Sequence, residues 1–169
     1  MDIDEEDIEI AEDAVLDERI ESVFGRKIAL AVLSLNWKYK EMAIKVVSKQ
    51  TEKSLNKPEH TNIDLIELIE AATAAVGITC GEKVIKVFNV ALALFNLMVS
   101  SSKIDQDTTA MRKFFQAIEK EGVVPKLLTK SEESNTRITN KIHEALLDLS
   151  YHPKIGEDFV AGALLNQIK

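Results

Sequence analysis

Apolar side chains recur along this chain at the spacing of an amphipathic α-helix. Three stripes show the pattern most clearly, with apolar residues three or four positions apart over residues 39–47, 84–98 and 138–149. A further segment with helical spacing precedes each stripe, and no segment keeps the strict alternation of a half-buried strand. Six glycines and three prolines are too few for the many turns of a sandwich or barrel. The sequence therefore predicts an all-α fold made of helical hairpins.

The spacing of the hairpins favours a stack. We expect the helices to pair as residues 17–34 with 37–54, 62–77 with 80–99, and 107–128 with 135–150, before a last helix over 155–168. The second helices would then begin near Trp37, Cys80 and Asn135, 43 and 55 residues apart. HEAT and armadillo repeats run at about 40–47 residues, so the longer spacing needs an insertion, which a bend at Gly122 and Pro125 can supply.

Each of these hairpins is amphipathic and would bury its faces only by stacking on its neighbours. The predicted fold is thus an α-solenoid of about three and a half HEAT-type hairpins. An antiparallel four-helix bundle is the main alternative.

Polar side chains mark where several helices start. Asn36 and Ser134 are predicted N-caps, because their side-chain oxygens can accept hydrogen bonds from free backbone N–H groups. The segment Thr79-Cys80-Gly81-Glu82 fits a capping box, in which the Thr and Glu side chains satisfy such groups reciprocally. These signals predict that the middle hairpin's second helix starts at Cys80.

Charge is distributed unevenly. Residues 1–23 hold 11 acidic residues and one base, whereas the rest of the chain holds 17 acids and 20 bases. A segment so rich in charge is typical of disorder. We therefore expect residues 1–14 to be a disordered acidic leader, followed by one folded domain over residues 15–169. The alternative is a leader that folds back on the basic body and competes with an acidic partner.

Catalysis and cofactor binding find little support in the sequence. It contains no Gly-rich phosphate loop, no nucleophile elbow and no His, Cys and carboxylate set at metal-ligand spacing. Cys80 lies at a predicted helix N-terminus, where a thiol pKa can fall. No histidine is near it in sequence, so we expect Cys80 to have no catalytic role. The prediction is a protein without enzymatic activity that requires no cofactor or metal.

Other classes of partner are also disfavoured. The longest apolar stretch, residues 87–99, is too short to span a bilayer. No basic stripe with interleaved aromatic residues indicates nucleic acid. A single cysteine suits a reducing, cytoplasmic setting. We expect a monomer that binds neither membranes nor nucleic acid.

The residues that turn each hairpin should form a row along one edge of the stack. Trp37, the only tryptophan, falls at the first turn beside lysines. It is either an exposed anchor of the kind found at binding hot spots or a staple packed on the preceding helix. Basic residues recur at the second and third turns, which favours an acidic partner. The predicted site residues are Trp37, Lys38, Lys83, Lys130, Arg137 and Lys141.

The residues after the first turn resemble a known family. Trp37-Lys38-Tyr39-Lys40-Glu41-Met42-Ala43 is similar to the Trp-Lys-x-Arg-x-x-Ala signature that opens the second helix of the first repeat in TOG domains, with Lys40 in place of Arg. Val23-Phe24-Gly25, Val32-Leu33-Ser34, and the segment 124–129 followed by Arg137 are similar, more specifically, to the TOG domain of the ciliary-tip centrosomal protein of 104 kDa. The resemblance runs over about residues 16–165.

TOG domains are HEAT-repeat modules that bind αβ-tubulin through their intra-repeat loops. The resemblance implies that Trp37 packs on tubulin and that Lys83 and Arg137 are contacts of the second and third loops. Lys38, Lys130 and Lys141 are added from their predicted place on the edge. A full TOG domain has about six repeats, so this chain would hold only the first few.

The implied partner is αβ-tubulin or the microtubule end. The implied setting is a microtubule-associated protein of the cytoskeleton, at the ciliary tip, basal body or centriole. A HEAT-type adaptor that holds a peptide or helix on its concave surface is the alternative function. A purely structural spacer is a third.

Overall fold

A computed structural model of the chain describes residues 1–152 and residues 161, 162, 164 and 165. Residues 1–152 form nine α-helices: α1 Glu18–Phe24, α2 Arg26–Leu33, α3 Trp37–Asn56, α4 Leu65–Thr79, α5 Ile85–Val99, α6 Ser102–Gln106, α7 Thr108–Lys120, α8 Val123–Glu132 and α9 Thr136–Ser150. Short 3-10 helices cover Glu5–Asp7 and Pro58–His60. The only β-type pairing in the described part is one bridge between Ile10 and Ser34. The all-α prediction is confirmed, and the predicted last helix lies mostly outside the described residues.

The helices form two layers. In one layer, which we call the first, α1 packs on α4 and α4 on α7, with α2 and α8 also beside α4; in the second, α3 packs on α5 and α5 on α9. Hairpin contacts between α2 and α3, α4 and α5, and α8 and α9 join the layers. Successive second helices begin at Trp37, Ile85 and Thr136, 48 and 51 residues apart, which is a more even spacing than predicted. The predicted α-solenoid of stacked hairpins is confirmed.

Two glycines interrupt segments that the periodicity predicts to be long helices. Gly25, with φ 93°, separates α1 from α2, so the single helix predicted over residues 17–34 is wrong. Gly122, with φ 61°, separates α7 from α8 and confirms the bend predicted there. Glycine adopts positive φ without steric cost, whereas other residues do so rarely. Pro125 lies in the first turn of α8, where its missing N–H has no helical partner to lose.

The predicted N-caps have different outcomes. The Asn36 side chain accepts a hydrogen bond from the Lys38 N–H at 3.0 Å, which confirms the predicted start of α3. Ser134 is not the cap of α9. Asn135 is, and its side chain accepts from the Ile138 N–H at 3.1 Å.

The predicted capping box at Thr79 is wrong. Thr79 ends α4, and its hydroxyl donates to the Ala75 carbonyl oxygen at 2.7 Å, while α5 starts only at Ile85. Because α4 is buried on nearly all sides, its apolar run continues through this segment. Cys80 is fully buried at the end of α4 rather than at a helix N-terminus. Burial raises the pKa of its thiol to about 11, although the nearby Lys126 ammonium acts in the opposite direction.

The acidic leader lies against the body. Ile3 and Ile8 are buried in the common core, and Ile10 bridges to Ser34 before α3. Residues 1–14 are thus not the disordered tail that their charge predicts. Isoleucines spaced among the acids give the segment apolar surface to bury, and most of the carboxylates remain exposed.

A close contact joins the helices of the first layer. A Cβ at Gly77 in α4 would lie 2.7 Å from the Cβ of Glu121, directly after α7. The Glu121 carboxylate accepts from Arg19 of α1 at 2.7 Å, and Arg19 also pairs with Asp17 at 2.6 Å. Burial tends to raise the Asp17 pKa, but the hydrogen bond and charge of Arg19 hold that pKa below its ordinary value. We call Asp17, Arg19, Gly77 and Glu121 the first-layer contact.

One stretch of the chain, Ile85–Gln106, is long and apolar enough to cross a membrane by length and composition. It extends beyond the apolar stretch over residues 87–99, which by itself is too short to span a bilayer. In the fold it is two helices, since α5 ends before Ser100 and α6 starts at Ser102. Phe88 and Phe95 of α5 are buried in the core.

Candidate functional site

The three turns that join the layers lie at residues 34–36, 80–84 and 133–135, and we call them turns 1, 2 and 3. Contacts connect turn 1 to turn 2. The Lys86 ammonium, just after turn 2, is 5.3 Å from the centre of the Trp37 ring, just after turn 1. Lys40 forms an ion pair with Glu82 of turn 2.

Turn 2 also lies beside α8 and turn 3. Gly81, Lys126 and Glu133 line one groove of about 220 Å³ between them. The Lys126 ammonium donates to the Gly77 carbonyl oxygen at 2.6 Å, which attaches α8 to the end of α4. The three turns therefore follow one another along one side of the stack, which we call the turn edge.

Trp37 is the first residue of α3 and is half-buried. Its neighbour Tyr39 is among the partly buried residues that pack on the core, but Trp37 is not. The ring instead has two ammonium groups near it, Lys38 at 5.9 Å and Lys86 at 5.3 Å from its centre. Such cation–π contacts are worth about 0.5–1 kcal/mol at exposed sites. Trp37 is thus a surface aromatic framed by positive charge.

Several predicted cations lie on the turn edge with their charges accessible. Lys38 and Lys83 are exposed at turns 1 and 2. Arg137 is exposed in the first turn of α9 and forms no ion pair within residues 1–152. A cation gains nothing from the dipole at a helix N-terminus, so this position is not explained by helix stability. Lys141, one turn later, is half-buried.

Comparison with known proteins defines the family. A model of the TOG domain of centrosomal protein CEP104 matches residues 16–152. The chain belongs to the CEP104 TOG-domain family. No curated protein matches the chain.

Two solved structures share the fold of this TOG domain. One, described as the CEP104 TOG domain, has a TM-score of 0.64 and 22% identity, over 79% of this chain and 50% of that one. The other, the TOG domain of human Cep104, has a TM-score of 0.63 and 19% identity, over 79% of this chain and 49% of that one. The chain thus spans about half the length of the solved TOG domains that it matches.

The sequence predicts Lys130 at the third turn, but in this TOG domain the residue lies within α8. Only 7% of its surface is exposed, and its ammonium lies 5.7 Å from the centre of the buried Phe88 ring. The reason is that α8 continues to Glu132, so Lys130 faces inward from the helix's last turn. The prediction of an exposed edge cation is wrong for this residue.

Lys40 has a different role from that of a free edge cation. It takes the place of the signature arginine and pairs with Glu82 across the two turns. The two residues are 42 positions apart, close to the hairpin spacing predicted from the sequence. Opposite charges at that spacing are a signal from which this contact could be predicted.

Sequence reasoning missed two exposed apolar residues on the turn edge of this TOG domain. Leu35 in turn 1 is 67% exposed, and Ile85 directly after turn 2 is 42% exposed. An apolar residue next to the predicted cap Asn36 is a signal for the first. The wrong start for α5 hid the second, because it placed Ile85 more than a turn inside the helix instead of at its first residue.

Proposed function

We propose that this TOG domain binds αβ-tubulin through the turn edge. The position of Trp37 carries the proposal. It is a half-exposed aromatic at the start of α3, outside the core and between two lysines. Tryptophan is enriched at interface hot spots, where a large rigid ring loses little conformational entropy on binding. The TOG signature around Trp37 supports tubulin as the partner.

Charge on the turn edge also supports an acidic partner. The exposed cations Lys38, Lys83 and Arg137 lie along its length, and tubulin is acidic. Complementary charge at the rim of an interface mainly speeds association, whereas a desolvated aromatic mainly slows dissociation. In the proposed complex, these cations and Lys141 orient tubulin, and Trp37 supplies the buried contact.

The wider role follows from the family. The matched family is named for a centrosomal protein. We propose that this domain is a non-enzymatic, monomeric module of a cytoskeletal protein at the ciliary tip, basal body or centriole. It would position tubulin or a microtubule end there and would need no cofactor.

Size-exclusion chromatography of the chain with unpolymerised tubulin at low salt tests the proposal. We expect the two proteins to elute together, ahead of either alone. Trp37→Ala should abolish or strongly reduce co-elution. Tyr151→Ala, at an aromatic residue that is 78% exposed after the far end of α9, should not. Separate elution of the parent chain and tubulin at tens of micromolar would contradict the proposal.

A further inference from the structure

Leu35 combines an exposed side chain with a fixed backbone. The side chain is 67% exposed and lies in turn 1, two residues before Trp37. Its N–H donates to the Glu9 carbonyl oxygen at 2.8 Å. A single exposed leucine is common on protein surfaces, and what distinguishes Leu35 is its position beside Trp37 together with its fixed backbone.

Turn 1 is fixed from both sides. On one side, Ile10 of the leader bridges to the buried Ser34. On the other, the Ser34 hydroxyl accepts from the Asn36 N–H at 3.0 Å, and Asn36 caps α3. Since Ile3 and Ile8 are buried in the core, the leader itself has little freedom. The segment before Trp37 is thus held between the leader and α3.

From this arrangement we infer that Leu35 is a second apolar contact with tubulin and that residues 8–10 of the leader hold it in place. The inference rests on the proposed function and adds a residue and a segment to it. Leu35 and Trp37 would bury together on an apolar spot of tubulin, and the surrounding lysines would meet acidic residues. An interface core of this kind gains most when its residues are preorganised, because less conformational entropy is lost on binding.

The leader is attached by apolar and backbone contacts rather than by charge. Among the described residues its only ion pair with the body joins Glu5 to Arg26 at 3.9 Å. No carboxylate of residues 1–14 pairs with a lysine or arginine of the turn edge in the same part of the chain. A leader that competed with an acidic partner would occupy those cations. Its contacts instead support turn 1.

A pair of exposed leucines tests the contact. Leu35→Ala should melt like the parent and bind tubulin about fivefold more weakly, since a partly buried leucine contributes less than its full transfer free energy. Leu147→Ala is the control, because Leu147 is 51% exposed and lies 11 residues from the N-terminal end of α9. It should bind like the parent. If Trp37→Ala weakens binding and Leu35→Ala does not, the inference fails while the proposed function stands. If the parent itself does not bind, both fail.

A leader variant in the full chain tests the second half of the inference. Ile8→Asp places a charge where Ile8 is 8% exposed and should detach the leader, and Ile8→Ala is a milder version. We expect faster amide exchange at Leu35 and tubulin binding several-fold weaker, with a cooperative melt preserved. Unchanged exchange at Leu35 in both variants would show that the leader does not hold turn 1. Faster exchange with equal or tighter tubulin binding would also overturn the inference, and tighter binding would identify the leader as a competitor.

Discussion

The turn edge and the first-layer contact differ in how tightly their side chains are packed. At the first-layer contact, Gly77 and Glu121 touch at a distance that leaves no room for a methyl group, and Arg19 joins two carboxylates. On the turn edge, Trp37 and Leu35 remain partly or largely in water. Interior positions are fixed by packing, and their substitution should cost stability. Edge residues contribute little to the fold, and their substitution should cost binding instead.

The largest expected effect is on the edge. Trp37→Ala should weaken tubulin binding by about 2 kcal/mol or more, roughly thirtyfold, because a buried aromatic contact is lost. Its thermal midpoint should stay close to that of the parent, because Trp37 does not pack on the core. Titration calorimetry and thermal melts measure the two effects. A sharp fall in the midpoint with intact binding per folded molecule would make Trp37 a core staple.

Gly77→Ala should give the reverse result. A methyl group there would meet the Glu121 Cβ at 2.7 Å and its carbonyl oxygen at 3.3 Å, so the helices must shift. We expect a loss of about 1–3 kcal/mol in the free energy of unfolding, as for other overpacked sites. Denaturant unfolding measures it, and binding by the folded fraction should be unchanged. Gly81→Ala is the stability control, because an added Cβ there has no heavy atom within 4 Å. Equal stability of the two variants would refute the close contact.

The edge cations should have smaller effects that add. Lys83→Ala and Arg137→Ala should each weaken tubulin binding by about 0.5–1 kcal/mol, since exposed ion pairs are worth little individually. The double variant should equal their sum within about 0.5 kcal/mol, because turns 2 and 3 share no contact through these two side chains. Lys57→Ala, an exposed lysine at the far end of α3, should bind like the parent.

Salt should act on the same cations. Raising ionic strength from about 50 to about 300 mM shortens the Debye length to below 10 Å and should weaken binding by the parent. The double variant Lys83→Ala with Arg137→Ala should lose less of its affinity over that range. An equal salt dependence would place the electrostatic contact elsewhere on the molecule.

The smallest expected effect is optical. Trp37 is the only tryptophan, so its fluorescence reports on the turn edge of the free chain. Iodide should quench it more than caesium does, because Lys38 and Lys86 attract anions to the ring. Resistance to both quenchers would indicate a buried ring and would weaken the contrast between the two regions.

The sequence predicts the helical layers well, since apolar stripes determine which faces must be buried. It fails where a local signal competes with packing. Gly25 breaks a continuous stripe by a backbone conformation, and the capping residues at Thr79 are overridden by the burial of α4. The leader's isoleucines outweigh its charge, which composition alone does not reveal.

Candidate site residues could be predicted where they lie at true turns. Lys83 lies in turn 2 and Trp37 directly follows turn 1, so their sequence positions place them on the edge. Lys130 does not lie at a turn, because the length of α8 decides which way it faces. The hold of the leader on Leu35 depends on a long-range backbone contact that no local pattern marks.

Hydrogen exchange of the chain with and without unpolymerised tubulin tests the central claim most directly. Binding through the turn edge predicts slower exchange in peptides that cover residues 34–38, 82–86 and 134–138, with the largest change around Trp37. The helix faces away from the turns, including the concave surface of the stack, should exchange as in the free chain. Protection confined to those helix faces would contradict the account and favour an adaptor that holds a peptide or helix, and no protection anywhere would contradict tubulin binding itself.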